Sequence, residues 1–109
     1  MSERIRKING EIKKAVGQFL LRELPEHSGI ITVTVVETTP DLKKATVWYS
    51  YLGEEQEKKL TALLKRERGA CQKHVNSTLH LKFLPKIEFQ LDTSGDYAQK
   101  ISAIMRDIK

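Results

Sequence analysis

Cysteine is nearly missing from this chain of 109 residues: Cys71 stands alone. One cysteine can form neither an internal disulfide nor a cysteine-based zinc site. Histidine is also sparse, and His27, His74 and His80 are scattered without metal-ligand spacing. Glycine is too thinly spread to build a phosphate-cradling loop, and no Walker pattern occurs. These absences leave no visible catalytic constellation and imply no cofactor. No apolar run approaches the roughly 18 residues that span a membrane. The opening stretch, MSERIRKING, lacks the apolar centre of a signal peptide. The expectation is one non-membrane domain over residues 1–109, monomeric and cytoplasmic. There is no internal repeat, low-complexity segment or linker. At 39% apolar and 30% charged residues, a chain of this length can bury a core without staples.

What the chain has is segregated charge. Its net charge is +5. Residues 1–22 carry six Lys/Arg against two acids, and residues 58–86 carry eight against one. Between them, residues 23–57 carry two against seven. Two basic blocks around an acidic middle fit a positive face that meets a polyanion. They also fit solvated helix faces in a mildly basic protein.

Hydrophobic spacing predicts the elements. Ile5, Ile8, Ile12, Ala15, Val16, Phe19 and Leu20 make one stripe of a helix over 4–24, which Pro25 ends. Residues 30–38 are dense in β-branched side chains and read as a strand. Both faces of this strand are apolar, so it is expected at the centre of the sheet. Thr39-Pro40-Asp41-Leu42 signals a turn, and a second strand over 44–52 completes an antiparallel hairpin. A helix over 55–68 follows. At Gly69 the helical pattern is interrupted, and a second helix over 70–79 is expected to resume after a bend. Leu79, Leu81, Phe83, Pro85, Ile87, Phe89 and Leu91 then alternate as a third strand. A last helix is expected over 97–109. The order α-β-β-α-α-β-α predicts an α+β fold: one three-stranded sheet with helices packed on one face.

Helix, glycine break, helix and strand form a recognisable nucleic-acid-binding arrangement when basic residues flank the break. Lys65, Arg66, Arg68 and Lys73 do so here. Gly69 would let backbone approach a ligand closely. The amides opening the second helix would face a phosphate. The same glycine also fits a plain helix C-cap. Arg4, Lys7 and Lys14 lie off the apolar stripe of the first helix. Together with the four cations near Gly69 they are expected to form one positive face. His74 fits either a phosphate contact or an ordinary surface position, while His80 is expected to be solvated. Cys71 falls at a helical core position and reads as a buried structural thiol. Trp48 and Tyr51 lie outside the basic blocks, so backbone and shape recognition is favoured over base stacking. A protein–protein adaptor that binds an acidic partner through the basic helices is the alternative.

The whole chain, over roughly residues 3–108, resembles the ribosome-binding factor A family. Arg4-Ile5-x-Lys7-Ile8-x-x-Glu11-Ile12 is similar to that family's first helix. Its hairpin is resembled by Ile31-Thr32-Val33-Thr34-Val35-Val36-Glu37-x-x-x-Asp41-Leu42-Lys43-x-Ala45-x-Val47-x-x-Ser50. Leu81-x-x-x-Pro85-x-Ile87-x-Phe89-x-x-Asp92 is similar to the third strand and its exit loop. The resemblance implies a type II KH-like domain, in which an Ala-x-Gly kink replaces the GxxG loop that clamps RNA in other KH domains. Glu67-Arg68-Gly69 stand at the kink, matching the glycine but not the alanine. It further implies a non-enzymatic assembly factor of the 30S small ribosomal subunit. Such a factor would bind the 5′ region of 16S rRNA during late maturation, aid rRNA processing and support growth in the cold. Read from charge, helix position and the glycine break, the candidate RNA-binding residues are Arg4, Lys7, Lys14, Lys65, Arg66, Arg68, Gly69 and Lys73.

Overall fold

The computed structural model describes residues 3–26, 31–51 and 57–92. Its elements run α1 (Glu3–Glu23), β1 (Ile31–Thr38), β2 (Lys44–Tyr51), α2 (Glu57–Thr78) and β3 (Lys86–Leu91). The helix expected over 97–109 lies outside the described residues.

Helix α1 buries Ile8, Ile12, Ala15, Val16, Phe19 and Leu20, the stripe its spacing predicts. The Leu24 N–H closes the last turn on the Leu20 carbonyl at 2.9 Å, and Pro25 then stops the helix. Strands β1 and β2 pair antiparallel, from Ile31 opposite Tyr51 to Thr38 opposite Ala45. Their turn is fixed by Asp41. Its carboxylate accepts from the Thr39 hydroxyl at 2.6 Å and from the Lys43 N–H at 3.1 Å. These two donors, the Thr39 hydroxyl foremost, hold the Asp41 carboxyl below its ordinary range. They also support Leu42 in the left-handed region at φ 61°, which a branched side chain seldom occupies.

Strand β3 pairs parallel with β2, Ala45 opposite Ile87 and Tyr49 opposite Leu91. The sheet order is β1-β2-β3. Both helices cover one face of this mixed sheet. There Ile31, Val36, Ala45, Val47, Tyr49 and Ile87 meet the buried stripes of α1 and α2 in one core. The fold is α+β, as the element pattern predicts.

Three local expectations are corrected. First, β1 is an edge strand and β2 is central. The pairing register shifts between Val33 and Val35. The bulge there lets Ile31 and Val36, an odd and an even position, both face the core. Apolar residues on both faces of β1 therefore reflect the bulge, and Val35 stays 45% exposed.

Second, α2 is one uninterrupted helix through Gly69, not two helices separated by a break. Leu60, Leu64, Cys71 and Val75 are all buried, at intervals of four, seven and four. That spacing keeps one face throughout, so the apolar phase does not change at the glycine. Gly69 costs about 1 kcal/mol relative to alanine in a helix. Burial of Leu60 and Leu64 before the glycine and of Cys71 and Val75 after it outweighs that cost.

Third, β3 begins at Lys86, and residues 79–85 form a turn. Pro85 therefore sits just outside the strand, where its missing N–H breaks no ladder bond.

Candidate nucleic-acid interface

The basic side chains named from sequence distribute over three grooves. The first lies between α1 and residues 78–81. It has a volume of about 470 Å³, and Arg4, Lys7, Lys14 and His80 line it against one acid, Glu11. Helix periodicity puts Arg4, Lys7, Glu11 and Lys14 on one side of α1, because residues three and four apart are neighbours. The row runs beside the core stripe, whose Ile8 and Ala15 also line the groove, and the four charged side chains are exposed. His80 is exposed, as expected, although it belongs to the turn and not to a strand.

The second groove follows the outer edge of β3. Lys65 and Arg68 from α2 line it with Lys86 and Glu88 from β3, and Tyr49, Thr61 and Phe89 form its floor. Arg68 is half-buried here, and its Nη1 donates to the Ile87 carbonyl at 3.2 Å. It is thus partly committed to holding α2 on β3, which corrects its reading as a purely surface cation. Gln72, one turn on, makes the same connection with greater completeness. Its Oε1 accepts from the Ile87 N–H at 2.7 Å, and its Nε2 donates to the Pro85 carbonyl at 3.1 Å. Glu88 accepts from Lys44 at 2.9 Å. That hydrogen bond holds its carboxyl below the ordinary range, so the acid stays ionised beside the three cations.

The third groove opens between α1 and α2, where Lys73, Arg22, Glu23, Glu67 and His74 meet. Arg22 Nη2 lies 3.0 Å from His74 Nδ1. A guanidinium can only donate, so Nδ1 accepts and the ring proton sits on Nε2. That Nε2 is buried without a hydrogen-bond partner, and the Phe19 ring packs 6.1 Å away. His74 is therefore half-buried between the helices and not a free surface residue. Arg66 points outward near this groove, and its guanidinium lies 3.8 Å from Glu67 with 73% of its side chain exposed. An ion pair so open to water holds Arg66 only weakly.

Gly69 is exposed, and a Cβ placed there would meet nothing within 4 Å beyond its chain neighbours and its own helix backbone. Because α2 continues through it, Ala70 opens no helix and has no free N-terminal amides to offer a phosphate. The surface around Gly69 is accessible, but its chemistry comes from the flanking side chains.

Cys71 is fully buried, and burial pushes its thiol up to about 12. It is therefore no nucleophile at neutral pH. Among the described residues no three metal-ligating side chains gather, and no helix is long and apolar enough to cross a membrane.

Sequence reasoning misses three residues that shape these surfaces. Lys86 counts toward the basic block, but nothing in the sequence singles it out. Gln72 gives no signal, because a polar helix position looks the same whether or not it reaches a neighbouring strand. Phe83 falls in an apolar row, yet it is 75% exposed.

The sequence model of the family described as ribosome-binding factor A matches residues 4–105. A ribosome-binding factor A from Geobacter sp. (strain M21) is 36% identical over 110 residues, covering 99% of this chain and 92% of the relative. One from Brevibacillus brevis is 37% identical over 107 residues, covering 96% and 88%. The solution NMR structure of a Thermotoga maritima candidate ribosome binding factor A superposes with a TM-score of 0.72 at 26% identity. It covers 86% of this chain and 92% of that one. The crystal structure of ribosome-binding factor A from Thermus thermophilus shares the fold, with a TM-score of 0.69 at 17% identity over 80% and 94%. With its helices, mixed sheet and nearly full-length match, the chain belongs to the ribosome-binding factor A family.

Proposed function

We propose that this protein is a ribosome-associated assembly factor that works by binding and not by catalysis. Its partner is the free 30S subunit, and it contacts the 5′ region of 16S rRNA during late maturation and rRNA processing, including growth in the cold. It acts as a cytoplasmic monomer. The observation that carries this reading, beside family membership, is the basic groove of Arg4, Lys7 and Lys14 with one acid in its lining. Lys65, Arg66, Arg68 and Lys73 add cations along α2. Cations spread over three neighbouring grooves favour a polyanion, because each phosphate neutralised releases condensed counterions. Binding energy that favours one rRNA conformer would hold the subunit in a maturing state.

The test is sedimentation of the tagged protein in a ribosome gradient at low and raised salt. Migration with free 30S subunits, weakened by salt, is the expected result. Migration with complete ribosomes only, or association that salt leaves untouched, would overturn the reading.

A further inference from the structure

The turn over 79–85 directs its apolar side chains inward with one exception. Leu79 and Pro85 are buried, and Leu81 and Leu84 pack against the core. Phe83 alone points out, 75% exposed. The Lys82 ammonium sits 5.7 Å from its ring centroid, within the range of a cation–π contact.

This exposure does not come from a loose backbone. The Leu79 N–H bonds to the Val75 carbonyl at 2.9 Å on entry to the turn. On exit, Gln72 holds the Pro85 carbonyl and the Ile87 N–H, and the Lys86 N–H bonds to the Lys43 carbonyl at 3.0 Å. The ring is thus displayed from a turn tied down at both ends.

Lys82 is the cation against the ring, and a basic groove lies close by along the chain. Residues 78–81, just before Phe83 in the chain, form one wall of the groove lined by Arg4, Lys7 and Lys14. A flat π surface beside cations fits a polyanion that carries exposed flat rings. Single-stranded RNA has that chemistry: its phosphates meet the cations and its unpaired bases stack on aromatic faces. A duplex hides its base faces, and an acidic peptide has charge without a flat ring.

We propose that Phe83 is a stacking platform for one unpaired nucleobase, with the neighbouring phosphates held by Lys82 and the Arg4–Lys7–Lys14 groove. The proposal rests on the RNA-binding reading and adds to it a recognised feature, an unstacked nucleotide at the contact. It also changes the expected mode of recognition, since stacking joins backbone contacts.

The experiment measures binding of a single-stranded oligoribonucleotide and of a matched RNA duplex to wild type, Phe83→Ala, Phe83→Leu and Phe83→Trp. Loss of one stacked base weakens single-strand binding by about 5- to 150-fold. That loss is expected for Phe83→Ala and for Phe83→Leu, which is apolar but has no π face. Duplex binding is expected to stay unchanged. Phe83→Trp is expected to bind like wild type, with its added fluorescence quenched by the single strand. Equal single-strand binding by wild type and Phe83→Leu would overturn the proposal. So would a Phe83→Ala protein whose melting temperature falls by many degrees, since the ring would then be packed by its own chain. A Phe83-dependent dimer in sedimentation would assign the ring to a second copy instead, and overturn it too. Should wild type bind neither RNA, the RNA reading itself fails and carries this proposal with it. Wild-type binding that Phe83→Ala leaves intact defeats the stacking proposal alone.

Discussion

Arg68 and Ile87 are joined across the α2–β3 boundary, the guanidinium Nη1 donating to the main-chain carbonyl at 3.2 Å. Two residues earlier, Arg66 projects into water with 73% of its side chain exposed. Two arginines of similar sequence appearance therefore do different work.

Substitution separates them. Arg68→Ala removes a bond to a partly buried carbonyl and the packing of a long stem, at a cost of about 1 kcal/mol. Arg66→Ala is expected to change stability by less than about 0.5 kcal/mol. In a salt titration of rRNA binding, Arg66→Ala flattens the slope of log K against log salt by about 0.7 if it meets one phosphate on a single strand. Urea unfolding beside that titration checks both halves. An Arg68→Ala protein as stable as wild type would contradict the assignment of Arg68 to the α2–β3 contact.

Gly69 lies inside a continuous helix with open space where a Cβ would go. Gly69→Ala is therefore expected to stabilise the fold by about 0.5–1 kcal/mol. In a domain of this size that raises the melting temperature by several degrees. A loss of stability would show that the backbone at 69 needs a conformation that alanine avoids, and would restore the bend that sequence suggests.

Cys71 makes stability fall in alkali. Its thiol rises from an ordinary 9.0 to about 12 on burial. Between those values the unfolded chain loses the thiol proton while the folded chain keeps it. The unfolded state then binds fewer protons, and stability declines as pH rises. The contribution is fully present below about pH 9 and drains away towards about 12, at about 1.4 kcal/mol per unit at the steepest. Between pH 8 and pH 10, wild type is expected to lose about 1 kcal/mol more than Cys71→Ala in urea unfolding. Equal losses would mean that the thiol titrates alike in both states.

Much of the fold is legible in the amino-acid sequence. The stripe of α1 and the hairpin 31–51 follow from spacing and turn chemistry, because each is decided by neighbours close in sequence. Misreadings arise where distant residues decide. Glu67 and Arg68 interrupt the apolar row of α2, so the linear pattern looks broken. In the fold both are only partly exposed, and the buried face passes from Leu64 to Cys71 in two full turns without them. The alternation through Leu79, Leu81 and Phe83 imitates a strand, but Gln72 fixes the chain so that pairing starts only at Lys86. Charge alone identifies the basic residues of the candidate interface. Their division among three grooves depends on where α1, β3 and the turn lie around α2, which no local pattern encodes.

The parallel pairing of β3 with β2 also sets an order of assembly. The hairpin needs only its short turn to close. The β2–β3 ladder must first bring together the ends of residues 52–85, and loop-closure entropy grows with that length. Parallel pairing at long range is intrinsically the slower event. The Phe83 turn ends where β3 begins, and Gln72 holds it only while the strand is docked. A maturing polypeptide therefore acquires its core hairpin before the groove and the displayed ring take shape. The stretch proposed to read RNA thus depends on the pairing that must close the longest loop in the sheet.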